Sequence, residues 1–76
     1  MTATIEEIRE LIKDAETMTD IDTLVNDVPL SEQGVDSLDM ANILLLMEEK
    51  YDIKIPDKDI SQIQSVDAIV DYLNNK

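Results

Sequence analysis

Cysteine, histidine, tryptophan and phenylalanine are all absent from this sequence of 76 residues, and Gly34 is its single glycine. Without cysteine the chain forms no disulfide and holds no metal through thiolates. Without histidine it lacks the usual general base near neutral pH and the commonest metal ligand. We therefore expect neither an enzyme nor a metal site. The longest unbroken apolar run, residues 43–47, is far shorter than a membrane span.

Basic residues are also scarce, with 6 lysines and arginines against 18 acidic residues and a formal net charge of −12. This balance is the opposite of that in a nucleic-acid-binding protein. It suits partners that carry basic patches, although it also serves simple solubility. Hydrophobic residues make up 43% of the chain, enough to predict one folded domain over residues 1–76. The acidic N-terminus is unlike a secretory signal, so we expect a soluble, cytoplasmic monomer.

The longest predicted helix follows Gly34 and ends near Lys50. A lone glycine before an unbroken run of helix formers marks a tight turn into a helix. Asp36 then suits the N-cap, where its carboxylate accepts from free N–H groups of the first turn. Ser37 stands at the first helical position. The unpaired N–H groups and the helix dipole favour an anion there, such as a phosphoryl group on the serine.

Two apolar stripes run along this helix. The first consists of Met40, Ile43, Leu44, Met47 and Tyr51, at the spacing of a face that packs on a core. The second is formed by Leu38, Ala41 and Leu45 and is bordered by Asn42, Glu48 and Glu49. An apolar strip with a polar rim is typical of a docking surface. Periodicity alone equally allows another helix of the bundle to cover it.

The remaining segments predict an all-α protein, a small four-helix bundle with three main helices, one short helix and a long first loop. The first helix is predicted over residues 5–16 after a Thr4 cap, and the long loop follows over 17–33 with a helical turn at 22–25. A short helix is predicted over 56–61, and Ser65 caps the last helix. Val66, Ile69, Val70 and Leu73 form the core stripe of the last helix, and Tyr72 flanks it.

Three further expectations concern the surface. The outer face of the first helix, with Glu6, Glu7, Arg9, Glu10, Lys13 and Asp14, is predicted to be solvated only. Ile21, Leu24, Val25, Val28 and Leu30 are predicted to pin the long loop to the bundle. The last three residues, 74–76, are predicted to fray.

A four-residue motif, Asp36-Ser37-Leu38-Asp39, opens the long helix. Gly34 precedes it, and an acidic helix and then Ile53-Lys54-Ile55-Pro56 follow it. In this arrangement the chain, over nearly its whole length, closely resembles the acyl carrier proteins of fatty acid and polyketide synthesis. In that family the motif serine receives 4′-phosphopantetheine from coenzyme A, and the thiol of this arm carries the acyl group.

The resemblance implies that Ser37 is the attachment site and that a separate phosphopantetheinyl transferase activates its hydroxyl. Asp36 would help to present the segment while it caps the helix. Asp39 would support it or serve as an ordinary first-turn acid. The implied docking residues, which would meet acyl-handling enzymes through their basic patches, are Leu38, Ala41, Asn42, Leu45, Glu48 and Glu49. Met40 and Met47 would let the first stripe open for an acyl chain, or would simply fill the core.

Two positions depart from the commonest fatty acid carriers. Asn42 stands where those carriers typically have glutamate, and Lys50 replaces a third consecutive acid. The pathway therefore stays open between fatty acid, polyketide and specialised lipid synthesis. One alternative is an aminoacyl or peptidyl carrier, although such carriers more often have a neutral residue at the position of Asp36. The other is an acidic helical adaptor that binds partners without being modified.

Overall fold

A computed structural model describes residues 2–15 and 21–75. Within these ranges three α-helices follow in chain order: α1 (Ile5–Asp14), α2 (Ser37–Tyr51) and α3 (Val66–Asn74). The same ranges contain three short 3₁₀ helices, at Ile21–Thr23, Leu30–Gln33 and Asp57–Gln62. The part of the chain that the structure describes contains no strand, and the predicted all-α class is confirmed. None of its helices is long and apolar enough to cross a membrane.

The helices begin where side-chain caps were predicted. The Thr4 hydroxyl accepts from the Glu7 N–H at 3.2 Å, and the Ser65 hydroxyl accepts from the Ala68 N–H at 3.1 Å. Helix α1 ends at Asp14 with Ala15 as its C-cap, so the predicted helix is too long at Ala15, and Glu16 lies outside the described residues. The turn predicted at 22–25 is the 3₁₀ helix Ile21–Thr23, which begins one residue earlier and ends two residues earlier than predicted. The predicted helix over 56–61 begins one residue later, because Pro56 stands before its first turn and not within it.

One hydrophobic core joins the three α-helices. Its members are Ala3, Ile8, Leu11, Ile12, Leu24, Leu30, Val35, Ile43, Met47, Ile63, Val66, Ile69 and Leu73. The predicted core stripes of α2 and α3 supply its centre, and Met40, Leu44, Tyr51 and Val70 pack against it while half-buried. Ala3 and Val35 were not predicted to be buried. Both lie outside the helices, where helical periodicity gives no signal.

The long connection is fastened by Arg9, which contradicts its predicted place on a merely solvated face. Its guanidinium donates to the Leu24 carbonyl and to Asn26 Oδ1, both at 2.8 Å, and to the Ile21 carbonyl at 2.7 Å. Five donors in a rigid fork can satisfy several loop oxygens at once. Glu7 is a second exception on this face, since its carboxylate accepts from the Tyr51 hydroxyl at 3.4 Å.

Leu24 and Leu30 are buried as predicted, but Val25 remains 48% exposed and does not pin the loop through its side chain. Its backbone is held by Gln33 instead. The Gln33 amide accepts from the Val25 N–H at 2.6 Å and donates to the carbonyls of Val25 and Val28 at 2.9 and 2.8 Å. The described part of the connection, residues 21–33, is therefore held by polar contacts that its apolar residues did not reveal.

The predicted fraying is wrong for Asn74. This residue ends α3, and its side-chain amide accepts from the Ala3 N–H at 2.6 Å and donates to the Ala3 carbonyl at 3.0 Å. Asn75 also bonds the Asp71 carbonyl through its amide at 2.7 Å. Lys76 lies outside the described residues.

Candidate functional site

The turn before α2 is built around Gly34. This glycine ends the 3₁₀ helix Leu30–Gln33 in the left-handed region, at φ 95°, where a Cβ would be unfavourable. Its N–H and that of buried Val35 both donate to the Leu30 carbonyl. The chain thereby reverses into α2 while Val35 anchors the turn in the core.

Asp36 caps α2 as predicted. Its backbone is extended, and its Oδ1 accepts from the Asp39 N–H at 2.8 Å. Ser37 is the first residue of the helix and is exposed. The hydroxyl therefore faces solvent at the end of the helix where free N–H groups and the dipole stabilise a phosphate.

Asp39 is half-buried in the first turn of α2. Its Oδ2 is shielded from solvent and has no hydrogen-bond partner among the described residues. No cluster of three or more acidic side chains in the described ranges is arranged to hold a metal ion. The role of Asp39 beside Ser37 thus stays a prediction.

The second stripe of α2 is open to solvent. Leu38 is 71% exposed, Leu45 is 56% exposed, and Ala41 lies between them on the surface. No described helix covers these side chains, so the structure removes the alternative that the bundle buries them. We call Leu38, Ala41 and Leu45 the docking strip.

The polar residues beside the docking strip differ in their exposure and in their hydrogen bonds to the rest of the fold. Asn42 and Glu49 are exposed. Glu48 is half-buried, and its Oε2 accepts from the Ile55 N–H at 2.8 Å, which fastens the segment after α2. The sequence predicted Glu48 only as a docking residue, and it gave no sign of this structural contact.

A cavity of about 420 Å³ opens beside Ser37. We call it the Ser37 cavity; its lining residues are Ser31, Val35, Asp36, Ser37, Met40, Ala41, Leu44, Ile60 and Gln64. Met40 belongs to this cavity, whereas Met47 is fully buried in the core. Met40 also packs against the core, so a role for it in admitting an acyl chain stays a prediction. A mostly apolar cavity with a few polar groups at its edge suits a small apolar ligand.

The wall of this cavity opposite α2 comes from the segment around the 3₁₀ helix Asp57–Gln62, which supplies Ile60 and Gln64. The Gln64 side chain donates from Nε2 to the Ile60 carbonyl at 2.6 Å, and the Gln64 backbone carbonyl accepts from the Leu30 N–H at 2.7 Å. The Tyr72 hydroxyl donates to Asp59 Oδ2 at 2.6 Å. This hydrogen bond is the largest cause, and burial the next, that raises the pKa of Tyr72 to about 12. Sequence reasoning missed this pairing.

The site fits a phosphopantetheine arm. The exposed hydroxyl would supply an attachment atom, the start of α2 would supply donors and positive potential for a phosphate, and an apolar cavity lies next to both. No described residue blocks the hydroxyl, since Ser37 and its neighbours Asp36 and Leu38 are all exposed.

Comparisons with known proteins agree with this geometry. Residues 6–73 match the sequence model of a family described as "Phosphopantetheine attachment site". The chain is 39% identical over 62 residues to the mitochondrial acyl carrier protein of Neurospora crassa, which covers 82% of this chain and 42% of the relative. It is 35% identical over 46 residues to the acyl carrier protein of Campylobacter lari, covering 60% of each. These matches therefore span only part of either relative. The acyl carrier protein of Syntrophus aciditrophicus is 34% identical over 68 residues, covering 90% of this chain and 85% of the relative.

Proposed function

The chain belongs to the acyl carrier protein family, whose members carry a phosphopantetheine attachment site, and from this premise we propose that Ser37 receives the arm. The exposure of Ser37 at the first position of α2, beside an apolar cavity, is the observation that carries the proposal. As a member of a carrier family the protein is not an enzyme, and its task is to present a cargo to other proteins. We propose a single carrier domain over residues 1–76.

The residues around Ser37 prepare the attachment. A phosphopantetheinyl transferase would take the hydroxyl proton, and Ser37 Oγ would form the phosphodiester while coenzyme A loses its nucleotide part. The bound arm supplies a thiol that holds the acyl group as a thioester. Asp36 keeps the first turn in place through its bond to the Asp39 N–H. The free N–H groups of that turn then stabilise the new phosphate.

The docking strip is the surface that we propose for partner enzymes. Leu38 and Leu45 would enter apolar sites on the partner, and Glu49 would meet its lysines or arginines. One exposed ion pair contributes less than about 1 kcal/mol, so several pairs act together on orientation and association rate. Glu48 offers its charge as well, but its Oε2 is already bonded to the Ile55 N–H.

The Ser37 cavity is the place that we propose for the cargo. Met40 and Leu44 line it from α2, and Ile60 lines it from the opposite wall. An acyl chain inside it would be removed from water, at a gain of about 0.8 kcal/mol per buried CH₂ group. Methionine adapts its shape readily, so Met40 suits chains of different length.

The charge along α2 bears on the pathway that the carrier serves. Asn42 and Lys50 make the exposed face of α2 less acidic than a row of carboxylates would be. We propose a carrier for fatty acid, polyketide or specialised lipid synthesis, with partners selected partly by this milder charge. We propose the cytoplasm as its compartment, while the Neurospora relative is named a mitochondrial protein. Cell fractionation tests the compartment.

Intact-mass measurement tests the attachment site. The chain is incubated with coenzyme A and a broad-specificity phosphopantetheinyl transferase, and the wild type should gain the mass of one arm. Ser37→Ala should gain none. Ser31→Ala is the matched control, because Ser31 is an exposed serine on the same cavity and should not affect loading. A wild type that stays unmodified while the same enzyme loads another carrier would instead support an unmodified acidic adaptor.

A further inference from the structure

One wall of the Ser37 cavity is held in place by few buried side chains. The 3₁₀ helix Asp57–Gln62 has no fully buried residue, and Ile60 within it is only half-buried. The nearest core anchor along the chain is Ile63, just past its end. A segment with few buried contacts opens more readily than the elements around it, so its hydrogen bonds decide its position.

Tyr72 supplies the hydrogen bond that links this wall to a fixed element. Its hydroxyl donates to Asp59 Oδ2 at 2.6 Å, across 13 positions of sequence. Tyr72 lies in α3 between Ile69 and Leu73, which are fully buried and hold that helix in the core. Asp59 immediately precedes Ile60, which lines the cavity. The bond therefore fixes the wall next to its cavity-lining residue.

The end of the wall nearer the core is held separately. Gln64 bonds the Ile60 carbonyl at 2.6 Å, and the Leu30 N–H bonds the Gln64 carbonyl at 2.7 Å. The first of these bonds lies within the wall, and the second joins the wall to the connection before α2. If the Tyr72–Asp59 bond is lost, the bond from Leu30 still keeps the end at Gln64 in place while the part around Asp59 is released. The segment would then swing outward as a flap.

We propose that the Tyr72–Asp59 hydrogen bond is a latch that keeps an acyl cargo enclosed in the Ser37 cavity. Tyr72 and Asp59 are positioning residues, since they act through Ile60 and do not touch the cargo. The proposal rests on the function proposed above, because it requires a cargo attached through Ser37. It makes the retention of cargo depend on chain length, because a short acyl group has little apolar surface to keep inside.

The test compares four loaded proteins: wild type, Tyr72→Phe, Asp59→Ala and Tyr51→Phe. Each is loaded from acetyl- or octanoyl-coenzyme A, and cleavage of the thioester by hydroxylamine is followed by intact mass. Tyr51→Phe is the matched control, because it also removes a hydroxyl bonded to a carboxylate, Glu7, and Tyr51 is not among the residues that line the cavity. Loss of a hydrogen bond to a charged acceptor should speed cleavage of the octanoyl thioester about tenfold in Tyr72→Phe and Asp59→Ala. Acetyl cleavage should not change.

Two further measurements separate the latch from a general loss of stability. Asp59→Asn keeps an accepting oxygen and should restore most of the octanoyl protection. In the unloaded protein, Tyr72→Phe should speed hydrogen exchange at the Asp59 amide, which bonds the Pro56 carbonyl, and should leave α1 unchanged.

Each outcome decides between the proposals. Equal octanoyl cleavage in Tyr72→Phe, Asp59→Ala and Tyr51→Phe would overturn the latch while leaving the carrier function intact. A wild type that accepts neither acyl arm would overturn both. If Tyr72→Phe does not fold by circular dichroism, Asp59→Ala compared with Asp59→Asn carries the same test.

Discussion

Replacing Arg9 with methionine should destabilise the protein far more than its position on an acidic helix indicates. Methionine keeps the apolar stem of arginine and removes the guanidinium. That group makes three hydrogen bonds, to the carbonyls of Leu24 and Ile21 and to the side chain of Asn26. After the substitution these three partly buried oxygens lose their donor.

The magnitude follows from those contacts. A hydrogen bond from a charged donor contributes roughly 1.5–3 kcal/mol when buried, and water recovers part of that at a half-buried site. Three such bonds to one group therefore amount to about 3 kcal/mol. A chain of this length is stable by only about 4–11 kcal/mol in total. The substitution should remove a large fraction of the free energy of unfolding.

Urea unfolding followed by circular dichroism measures the loss, since the chain has no tryptophan. With an m-value of about 1 kcal/mol/M, the midpoint should fall by about 3 M. Lys13→Met is the matched control, because Lys13 is exposed on the same helix and its loss changes the net charge equally. Should the two variants differ by less than about 0.5 kcal/mol, the role given to Arg9 would be refuted.

Three other predictions concern charge, pH and docking. The net charge of −12 should make the melting temperature rise with added NaCl, because the screening length falls from about 30 Å at 0.01 M to about 10 Å at 0.1 M; a flat response would contradict this. The bond to Asp59 raises the pKa of Tyr72 from 10.0 to about 12. The stabilisation of the folded protein by this bond is therefore complete below pH 10 and disappears as the pH rises through 12. Over that window the free energy of unfolding should fall more steeply in wild type than in Tyr72→Phe, and equal slopes would show that the bond has no such effect. Leu45→Asp should raise the KM of the transferase for the carrier with little change in stability. Val25→Asp, at a similarly exposed valine outside the docking strip, should leave this KM unaltered. An equal rise of KM in both variants would show that the transferase does not dock on the strip.

The features that sequence predicted well are local ones. A helix cap needs only a side chain and an N–H three residues later, so Thr4, Asp36 and Ser65 were recognisable from their neighbours. The position of Ser37 at the start of α2 follows from the same rule. The core stripe that contains Ile43 follows from a second local rule, the helical spacing of apolar residues. These are the parts of the site that depend on short stretches of chain.

The contacts that sequence did not predict join residues from different segments. Arg9 has the same spacing as its solvated neighbours, and nothing periodic shows that loop carbonyls lie within its reach. Tyr72 and Asp59 are each ordinary surface residues until α3 and the 3₁₀ helix are placed side by side. The docking strip was ambiguous for a related reason, because its exposure depends on where every other helix packs.

Glu48 imposes a limit on how the proposed docking face of this carrier can diversify. Its carboxylate holds the Ile55 N–H, so exchanging it for lysine would loosen the chain after α2 as well as invert a surface charge. Asn42 and Glu49 are exposed, and no side-chain contact comparable to that of Glu48 is seen for them among the described residues. New partner preferences would therefore be acquired most readily at those two positions, while Glu48 remains fixed by folding whichever enzyme the carrier serves.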